Sequence, residues 1–311
     1  MVYRYYIPLV LASLSINSPW GFFAHKKITE MAIYTLPIEL MTFYKKNADY
    51  LIEKSVAADK RRYVIEAEGP RHYIDLDDFE LFDSIPKYWF DAVEKFGEET
   101  LISRGTVPWH AYLTYKMLVV AYSKKDYKAI ISKAADLAHY LADANVPLHT
   151  TSNYNGEKTN QKGVHAFWET RLPELFSKEY DFIIGKANYL QDPQKEIWQT
   201  IYWANSLVDS LLYFEKEITW QVGEAKKFAF EDKGKKTVKV YSKKYARAYH
   251  EAMPVVELQM QRSIKLIGDL WFSAWVDAGQ PDLRNLTSET KSKSDKVSIT
   301  ELISPQRQHK N

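Results

Sequence analysis

The spacing of apolar residues predicts helices over most of the chain. Apolar side chains recur at intervals of three and four between 197 and 211, and again between 245 and 276, as expected for helices that bury one face. Prolines at predicted helix starts and glycines at predicted helix ends mark the boundaries, at Pro86, Pro108, Gly97 and Gly105. These patterns predict a mainly helical chain, with a last helical region kinked at Pro254.

Three stretches lack the helical period. Residues 71–78 alternate polar and apolar side chains and are predicted to be extended or loop. Residues 150–163 are rich in Asn, Gly and Thr, which is typical of a polar loop that lines a cleft. Residues 223–243 are rich in Lys and are predicted to form an exposed connection.

The two ends of the chain differ in composition from its middle. Residues 1–19 contain a short apolar run after Arg4, too short to span a bilayer, and are predicted to be a secretory signal peptide. An exported protein, periplasmic or secreted, would then begin near Trp20. Residues 280–311 turn polar and charged and are predicted to be a disordered tail. The predicted folded domain is therefore 20–279.

Composition excludes several classes of protein. The chain has 311 residues and a net charge of only +2, too small for a global field that attracts polyanions. It has no Cys, so disulfides and thiolate metal sites are excluded. It also lacks a glycine-rich phosphate loop and a Gly-x-Ser-x-Gly elbow, so nucleotide-cofactor and serine-hydrolase functions have no support. No feature of the sequence indicates an obligate protein partner.

The candidate chemistry centres on two pairs of a His and a carboxylate. His139 and Asp143 stand at positions i and i+4 at the end of a predicted helix, and therefore on one face. Pro147 ends that helix and turns the chain toward His149. His165 and Glu169 repeat the spacing. A single such pair is typical of a surface hydrogen bond, whereas two pairs joined by a further His indicate zinc, which binds imidazole and carboxylate where no thiolate is available.

Three further residues are of the same chemical types. His25 begins a predicted amphipathic helix, where a His is often a capping or surface residue. Asp59 and His72 lie in acidic, imidazole-containing stretches and are either solvated or metal ligands contributed from loops. His110, His250 and His309 are interpreted as structural or solvated residues.

Taken in order along the chain, the candidate ligands from His25 to Glu169 form a pattern that resembles the zinc-dependent phospholipase C and single-strand nuclease superfamily. The resemblance spans roughly residues 20 to 275, and its most specific part is His-x3-Asp-x5-His followed by His-x3-Asp/Glu. It implies an all-α fold, a single mainly helical domain and three Zn2+ ions per chain. The implied ligands are Trp20, His25, Asp59, His72, His139, Asp143, His149, His165 and Glu169.

The resemblance also implies how the ligands are shared. One zinc is held by four side chains, those of Asp59, His72, His139 and Asp143. A second zinc is held by three, those of His149, His165 and Glu169. Trp20, through its terminal amine and carbonyl oxygen, and His25 join Asp143 or its neighbours in the remaining sites.

The implied activity is hydrolysis of phosphodiester bonds. Two zinc ions bridged by a carboxylate lower the pKa of a shared water from about 15.7 toward neutrality. Asp143 and Asp59 are the candidate catalytic carboxylates, with Asp59 orienting the attacking water. Arg62 matches an Arg of the nuclease branch and is either a phosphoryl ligand or part of a surface salt bridge.

The sequence features that bear on the substrate point to two different classes. Tyr73 and Asp75 resemble a nuclease pattern in which an aromatic ring stacks a base and the Asp accepts its hydrogen bonds. Asn155 is the third candidate substrate contact, and it lies in the segment 153–156 that stands in place of the nucleases' Gly-Gly-Asn loop, so the absence of that loop favours the phospholipase branch. Glu169, where nucleases typically have Asp, and the short gap from His149 favour the phospholipase branch. The sequence therefore favours a phospholipase C-like enzyme acting on a phospholipid headgroup. The alternatives are a single-strand-specific endonuclease acting on DNA or RNA, and a non-catalytic exported protein stabilised by zinc.

Overall fold

The computed structural model describes residues 21–81, 84–234 and 236–288, except the side chain of Lys233. The predicted signal peptide, Trp20 and most of the predicted tail lie outside these ranges. The described chain is mainly helical, so the predicted all-α fold class is confirmed.

The helices and strands follow one another along the chain as a series of mostly short elements. The α-helices are α1 (Phe22–Ile33), α2 (Ile38–Lys46), α3 (Ala48–Lys54), α4 (Ala57–Arg61), α5 (Trp89–Phe96), α6 (Glu98–Arg104), α7 (Val107–Ser123), α8 (Tyr127–Asp143), α9 (Val164–Ala166), α10 (Leu172–Phe176), α11 (Pro193–Asn205), α12 (Val208–Val222), α13 (Lys243–Ala252) and α14 (Val255–Asp277). The strands are β1 (Phe228–Lys233) and β2 (Lys236–Tyr241). A π-helical turn, Phe167–Arg171, joins α9 to α10, and 3-10 turns include Glu66–His72, Leu76–Asp78, Pro147–Thr150 and Glu157–Thr159.

The core lies where α1, α7, α8 and α14 pack together. The fully buried ring of Trp271 on α14 stacks on Tyr44 at a centroid distance of 4.8 Å, and its indole N–H donates to the carbonyl of Ala134 on α8 at 3.1 Å. Buried aromatic surface of this size dominates core energetics. The packing therefore fixes α8, which carries the first candidate metal ligands.

Local sequence sets both ends of α8. Asp126 caps its N-terminus by accepting a hydrogen bond from the backbone N–H of Ala129 at 3.1 Å. The C-terminal half of the helix is buried almost completely, including the polar side chains of His139 and Asp143. A short turn follows, and Pro147 opens the 3-10 turn that carries His149. The predicted change of direction between Asp143 and His149 is present.

The segment 223–243 differs from its predicted form. It contains an antiparallel hairpin of β1 and β2, in register from Phe228 opposite Tyr241 to Lys233 opposite Lys236. The hairpin is anchored by long-range contacts, because the ring of Tyr241 stacks on Phe167 at 4.1 Å. The guanidinium of Arg171 also donates to both carboxylate oxygens of Glu231, at 2.5 and 2.9 Å. The prediction of a connection without regular structure is therefore wrong for 228–241, apart from the turn, whereas the predicted exposure is present, since only Lys227 and Tyr241 are buried among the described side chains of this segment.

The last helical region is divided at the position where a kink was predicted. α13 ends at Ala252, and α14 begins after Met253 and Pro254. None of the helices in the described part of the chain combines the length and the apolar composition that crossing a membrane requires.

Candidate metal centre

Asp143 lies at the middle of a buried cluster of imidazoles. Its Oδ2 atom is 2.9 Å from Nδ1 of His72 and 3.3 Å from Nε2 of His139. Its Oδ1 atom faces the other way, 3.3 Å from Nε2 of His25 and 3.9 Å from Nδ1 of His149. The two oxygens of this one carboxylate therefore face different groups of ligands.

A first set of ligand atoms surrounds Oδ2 of Asp143. Nε2 of His139 and Nδ1 of His72 are 3.1 Å apart, and Oδ1 of Asp59 is 3.9 and 4.0 Å from these two nitrogens. The structure thus brings together the four side chains predicted to share one zinc. Asp59 comes from α4 and His72 from the end of a 3-10 turn rather than from loops.

Backbone carbonyls fix which ring nitrogen faces the cluster. Nδ1 of His139 donates to the carbonyl of Ser55 at 2.8 Å, and Nδ1 of His149 donates to the carbonyl of His72 at 2.6 Å. A carbonyl only accepts, so these nitrogens carry the proton and leave Nε2 of each ring as the metal-facing atom. Hydrogen bonds made by the ring nitrogen that does not face the metal orient histidine ligands in zinc proteins.

A second set of ligand atoms forms a triangle. Nε2 of His149 and Nε2 of His165 are 3.1 Å apart, and Oε2 of Glu169 lies 3.4 and 2.8 Å from them. Glu169 is fully buried on the π-helical turn, which places it on the same side as His165. The three side chains predicted to hold a second zinc are therefore together.

His25 lies next to the first set. Its ring stacks on His139 at a centroid distance of 4.1 Å. Neither of its fully buried ring nitrogens makes a hydrogen bond with any described residue, although Nε2 is 3.3 Å from Asp143. One ligand atom each of His25, Asp59 and His139 also lies within a 4.8 Å group that can hold an ion. A buried polar ring without a hydrogen bond fits a metal ligand.

Trp20, the remaining predicted ligand, lies outside the described residues. Gly21, which follows it, donates its backbone N–H to the carbonyl of Glu169 at 3.3 Å. A Cβ atom at this position would approach Oγ1 of Thr170 to 2.7 Å, so glycine permits the close contact. The described chain thus begins beside the second ligand triangle.

Burial and neighbouring charges shift the pKa values of this cluster, in several cases in opposite directions. Burial, with His139 nearby, lowers the pKa of His25 to about 3. Burial also lowers the pKa of His72 and of His165 to about 4 each. For Asp143, burial alone would raise the pKa, but the charges of His139 and His149 lower it well below its usual range. For His139, burial would lower the pKa, but the charges of Asp143 and Asp59 raise it to about 9. Neutral His25, His72 and His165 and an ionised Asp143 are in the protonation states that a metal requires, whereas zinc would have to displace one proton from His139.

The geometry fits zinc. Zinc bonds of about 2.0 to 2.2 Å in a tetrahedron separate neighbouring ligand atoms by roughly 3.3 Å. The edges of the second triangle, from 2.8 to 3.4 Å, bracket that value. In the first set, three edges from 2.9 to 3.3 Å fit, and Asp59 stands somewhat farther away. Nitrogen and oxygen donors in this mixture are typical of zinc sites.

A cavity of about 560 Å³ opens onto both ligand sets. Its lining includes the ligands His72, His149 and His165. Three residues predicted to act on substrate also line it, namely Arg62, Tyr73 and Asp75. Ser152 and Tyr154 line the cavity as well and belong to the loop 150–163 that was predicted to line a cleft, whereas Tyr63 was not predicted.

The predicted substrate residues have different surroundings. Nη1 of Arg62 is 3.9 Å from Oδ1 of Asp59, so the guanidinium lies beside the first ligand set. Burial and the charges of Asp77 and Asp78 raise the pKa of Asp75 to about 7. Asn155 is not part of the cavity lining. Its side chain donates to Glu157 at 2.6 Å and accepts from the backbone of Gly163 at 3.0 Å, so its contacts lie within its own loop.

A buried ionic cluster behind the first ligand set was missed by the sequence analysis. Glu68, 1% exposed, accepts from Arg61 at 3.0 Å, from Arg71 at 2.7 Å and from the hydroxyl of Tyr140 at 2.5 Å. Its Oε1 atom is 4.0 Å from Nε2 of His72, the ring nitrogen that faces away from Asp143. Burial would raise the pKa of Glu68, but hydrogen bonds from Tyr140 and Arg61 lower it to about 2. The spacing of Glu68 and His72, four residues apart, was the available signal.

This cluster joins three elements that carry ligands. Arg61 belongs to α4, which contains Asp59, and it also contacts Asp136 on α8 at 2.9 Å. Glu68 belongs to the 3-10 turn that ends at His72. The charges therefore hold α4, this turn and α8 in one arrangement.

We expect Glu68→Gln to weaken zinc binding about tenfold to a hundredfold, the usual effect of changing an outer residue that supports the metal ligands, because Glu68 joins the elements that carry Asp59, His72 and Asp143. The substitution keeps the shape but removes the charge that Arg61 and Arg71 share. Competition with a chromophoric chelator measures the affinity. Glu179→Gln, which breaks an exposed bidentate pair with Arg247, is the matched control. Equal zinc affinity of the Glu68 variant and the control would contradict the positioning role.

Comparison with known proteins gives little further guidance. No protein-family model matches the chain, and no curated protein is similar in sequence. Among solved structures, the chain is similar to the alpha-toxin of Clostridium perfringens from an avian strain, with a TM-score of 0.42 and 12% sequence identity. The similarity covers 86% of this chain and 65% of the toxin chain, so this chain spans less than two thirds of the toxin's length. A likeness this distant assigns neither fold nor function.

Proposed function

We propose that the protein is a zinc-dependent hydrolase of phosphodiester bonds, phospholipase C-like, with three zinc ions per chain. The observation that carries the proposal is the ligand triangle of His149, His165 and Glu169 at the edge of the cavity. Structural zinc sites are usually closed by four protein ligands, whereas catalytic sites offer three and leave a position open. The alternative of a non-catalytic zinc-stabilised protein is therefore disfavoured.

The residues of this chain would bind the substrate and orient the attacking water. Bound zinc supplies Lewis-acid activation of water and neutralises charge on the phosphoryl group. Arg62 lines the cavity beside Asp59 and offers a fork of N–H donors to a phosphoryl oxygen. Asp59 faces the cluster, where its carboxylate would orient the attacking water by accepting a hydrogen bond from it. Tyr73 and Asp75, farther along the cavity wall, contact the group attached to the phosphate.

Hydrolysis of bis-p-nitrophenyl phosphate tests the proposal without assuming a natural substrate. Zinc-loaded protein that begins at Trp20 should release p-nitrophenol, and a chelator should abolish the release reversibly. The three-ligand site leaves room for this small diester in a cavity of about 560 Å³. Absence of chelator-sensitive turnover in protein shown to contain zinc would leave only a structural role for the metal.

A single-strand-specific nuclease is the second candidate, favoured by one observation. The rings of Tyr63, Tyr73 and Tyr154 all line the cavity, and aromatic faces beside a catalytic site stack unpaired bases. The same rings also suit a cationic headgroup, which is attracted to an aromatic face. The two substrate classes are therefore separated by assay.

We expect Tyr73→Ala to lower the efficiency on the natural substrate class about tenfold or more while sparing bis-p-nitrophenyl phosphate. Stacking on one ring contributes about 1 to 3 kcal/mol, and about 1.4 kcal/mol corresponds to a factor of ten. Parallel assays on single-stranded DNA, RNA and phosphatidylcholine micelles identify the substrate whose hydrolysis is reduced. Tyr213→Ala, an exposed tyrosine on α12, serves as the control. If Tyr73→Ala matched the control on all three substrates, the ring would have no part in recognition.

A further inference from the structure

A basic and aromatic surface lies around the hairpin of β1 and β2, apart from the ligand cluster. Between residues 224 and 247 the sequence contains nine Lys and Arg against three Asp and Glu, a net charge of +6 in a chain whose total is only +2. The rest of the chain is therefore acidic, and the positive charge is concentrated in this one segment. A local excess of this kind attracts an anionic partner even when the whole protein is nearly neutral.

Exposed aromatic side chains stand among these charges. Trp220 on α12 is 80% exposed and Phe230 on β1 is 76% exposed. Lys239 lies opposite Phe230 in the hairpin register, and its Nζ atom is 4.1 Å from the ring of Phe228. Single exposed apolar side chains are common on protein surfaces, whereas a contiguous group of them marks an interaction surface.

The aromatic and basic residues form one continuous surface. A cavity of about 490 Å³ is lined by Lys216, Trp220 and Lys227, and also by Glu215 and Glu224. Lys227 is buried and pairs with Glu215 at 2.8 Å, so it links the cavity to the hairpin but adds no exposed charge. Nζ of Lys227 is 5.6 Å from the ring of Phe228, which shares a face of the hairpin with Phe230. The basic aromatic face is defined here as Lys216, Trp220, Phe228, Phe230 and Lys239.

The cations available on this face are lysines. The two arginines near the hairpin, Arg171 and Arg247, are each engaged in a bidentate pair with a glutamate. Lys216 and Lys239 have no carboxylate within salt-bridge distance among the described side chains. A lysine ammonium acts as a point charge, whereas specific recognition of a phosphate favours the arginine fork. Lysines mixed with Trp and Phe are typical of surfaces that lie on membranes.

We propose that the basic aromatic face binds an anionic lipid surface. The lysines provide long-range attraction to the charged headgroups, and Trp220 and Phe230 insert between them. The inference goes beyond the proposed hydrolysis, since docking through this face needs neither zinc nor turnover.

The basic aromatic face lies near the cavity of the metal centre. Ser152 and Tyr154 line the cavity of the metal centre, while Asn160 and Gln161 line the cavity beside Trp220. The loop between residues 152 and 161 thus separates two neighbouring openings. A membrane held against the basic aromatic face would lie beside the mouth of the candidate active site.

Cosedimentation of the full chain with vesicles tests the proposal. Binding to phosphatidylcholine vesicles that contain phosphatidylserine should exceed binding to pure phosphatidylcholine, and should fall as salt is added. Lys216→Ala with Lys239→Ala should weaken binding about thirtyfold, at about 1 kcal/mol for each lysine near the surface. Trp220→Ser with Phe230→Ser should weaken it tenfold or more. Lys45→Ala with Lys46→Ala, two exposed lysines on α2, is the matched control and should bind as the unchanged protein does.

Three results would overturn the proposal. The first is equal binding to vesicles with and without phosphatidylserine, and the second is equal loss of binding in the control pair and in the pair of Lys216 and Lys239. The third is binding of single-stranded DNA that depends on the same four residues, without any binding to vesicles. The partner of this face would then be a nucleic acid and not a lipid surface. Turnover of bis-p-nitrophenyl phosphate should be unchanged in every variant, so failure of docking is distinguished from failure of the proposed hydrolysis.

Discussion

Asp143→Asn should remove both zinc and activity from the paired site. The amide has the shape of the carboxylate but lacks the charge that faces His72 and His139 through one oxygen and His25 through the other. Removing one partner from a buried charged cluster costs about 3 to 5 kcal/mol. At about 1.36 kcal/mol per factor of ten, zinc affinity should fall a hundredfold or more. Elemental analysis and turnover of bis-p-nitrophenyl phosphate at limiting zinc measure the two losses together.

The same helix offers a matched control. Asp126 caps the N-terminus of α8, and Asn is an equally good capping residue. Asp126→Asn therefore repeats the chemical change on the same helix without touching the cluster. Wild-type zinc content and turnover in Asp143→Asn would disprove the bridging role of Asp143, whatever the control shows.

Local sequence was sufficient to predict the pairs of ligands within a single helical segment. His139 with Asp143, and His165 with Glu169, share a face because four residues make about one helical turn. Helix boundaries were also predictable where a specific residue type sets them, as Gly97 and Gly105 do after α5 and α6. Pro86 was less informative, since α5 begins only at Trp89.

Contacts between distant segments could not be predicted from pattern. Asp59 and His72 reach the cluster because the Glu68 cluster joins α4, the 3-10 turn and α8, and no spacing in the sequence encodes that arrangement. Their place in the ligand set came from the family resemblance instead. The hairpin was missed for a related reason. Its polar, lysine-rich residues resemble a loop, and its anchors, Phe167 and Arg171, lie far away in sequence.

Removal of zinc should lower the melting temperature by about 10 °C or more. Asp59, Asp143 and Glu169 are each at most 1% exposed, so a metal-free protein must bury three carboxylates near one another without the positive charge that zinc would supply. Such burial is costly unless the charges are compensated. Zinc at a thousand times its dissociation constant stabilises by about 4.1 kcal/mol at each site. Two sites together would give about 8 kcal/mol, and each kcal/mol shifts the melting temperature of a domain of 150 to 250 residues by about 2 to 4 °C.

Thermal unfolding followed by circular dichroism, with and without a chelator, measures this shift. Zinc added back should restore the melting temperature, and magnesium, which prefers octahedral oxygen ligands, should not. Glu169→Gln should retain only part of the zinc-dependent shift, because it affects the three-ligand site and leaves the four-ligand set intact. A melting temperature indifferent to chelation in protein that had contained zinc would mean that the buried carboxylates are compensated by the imidazoles alone. Bound zinc would then contribute no stability to the fold, and the metal-free cluster would be held together by protons shared between imidazoles and carboxylates.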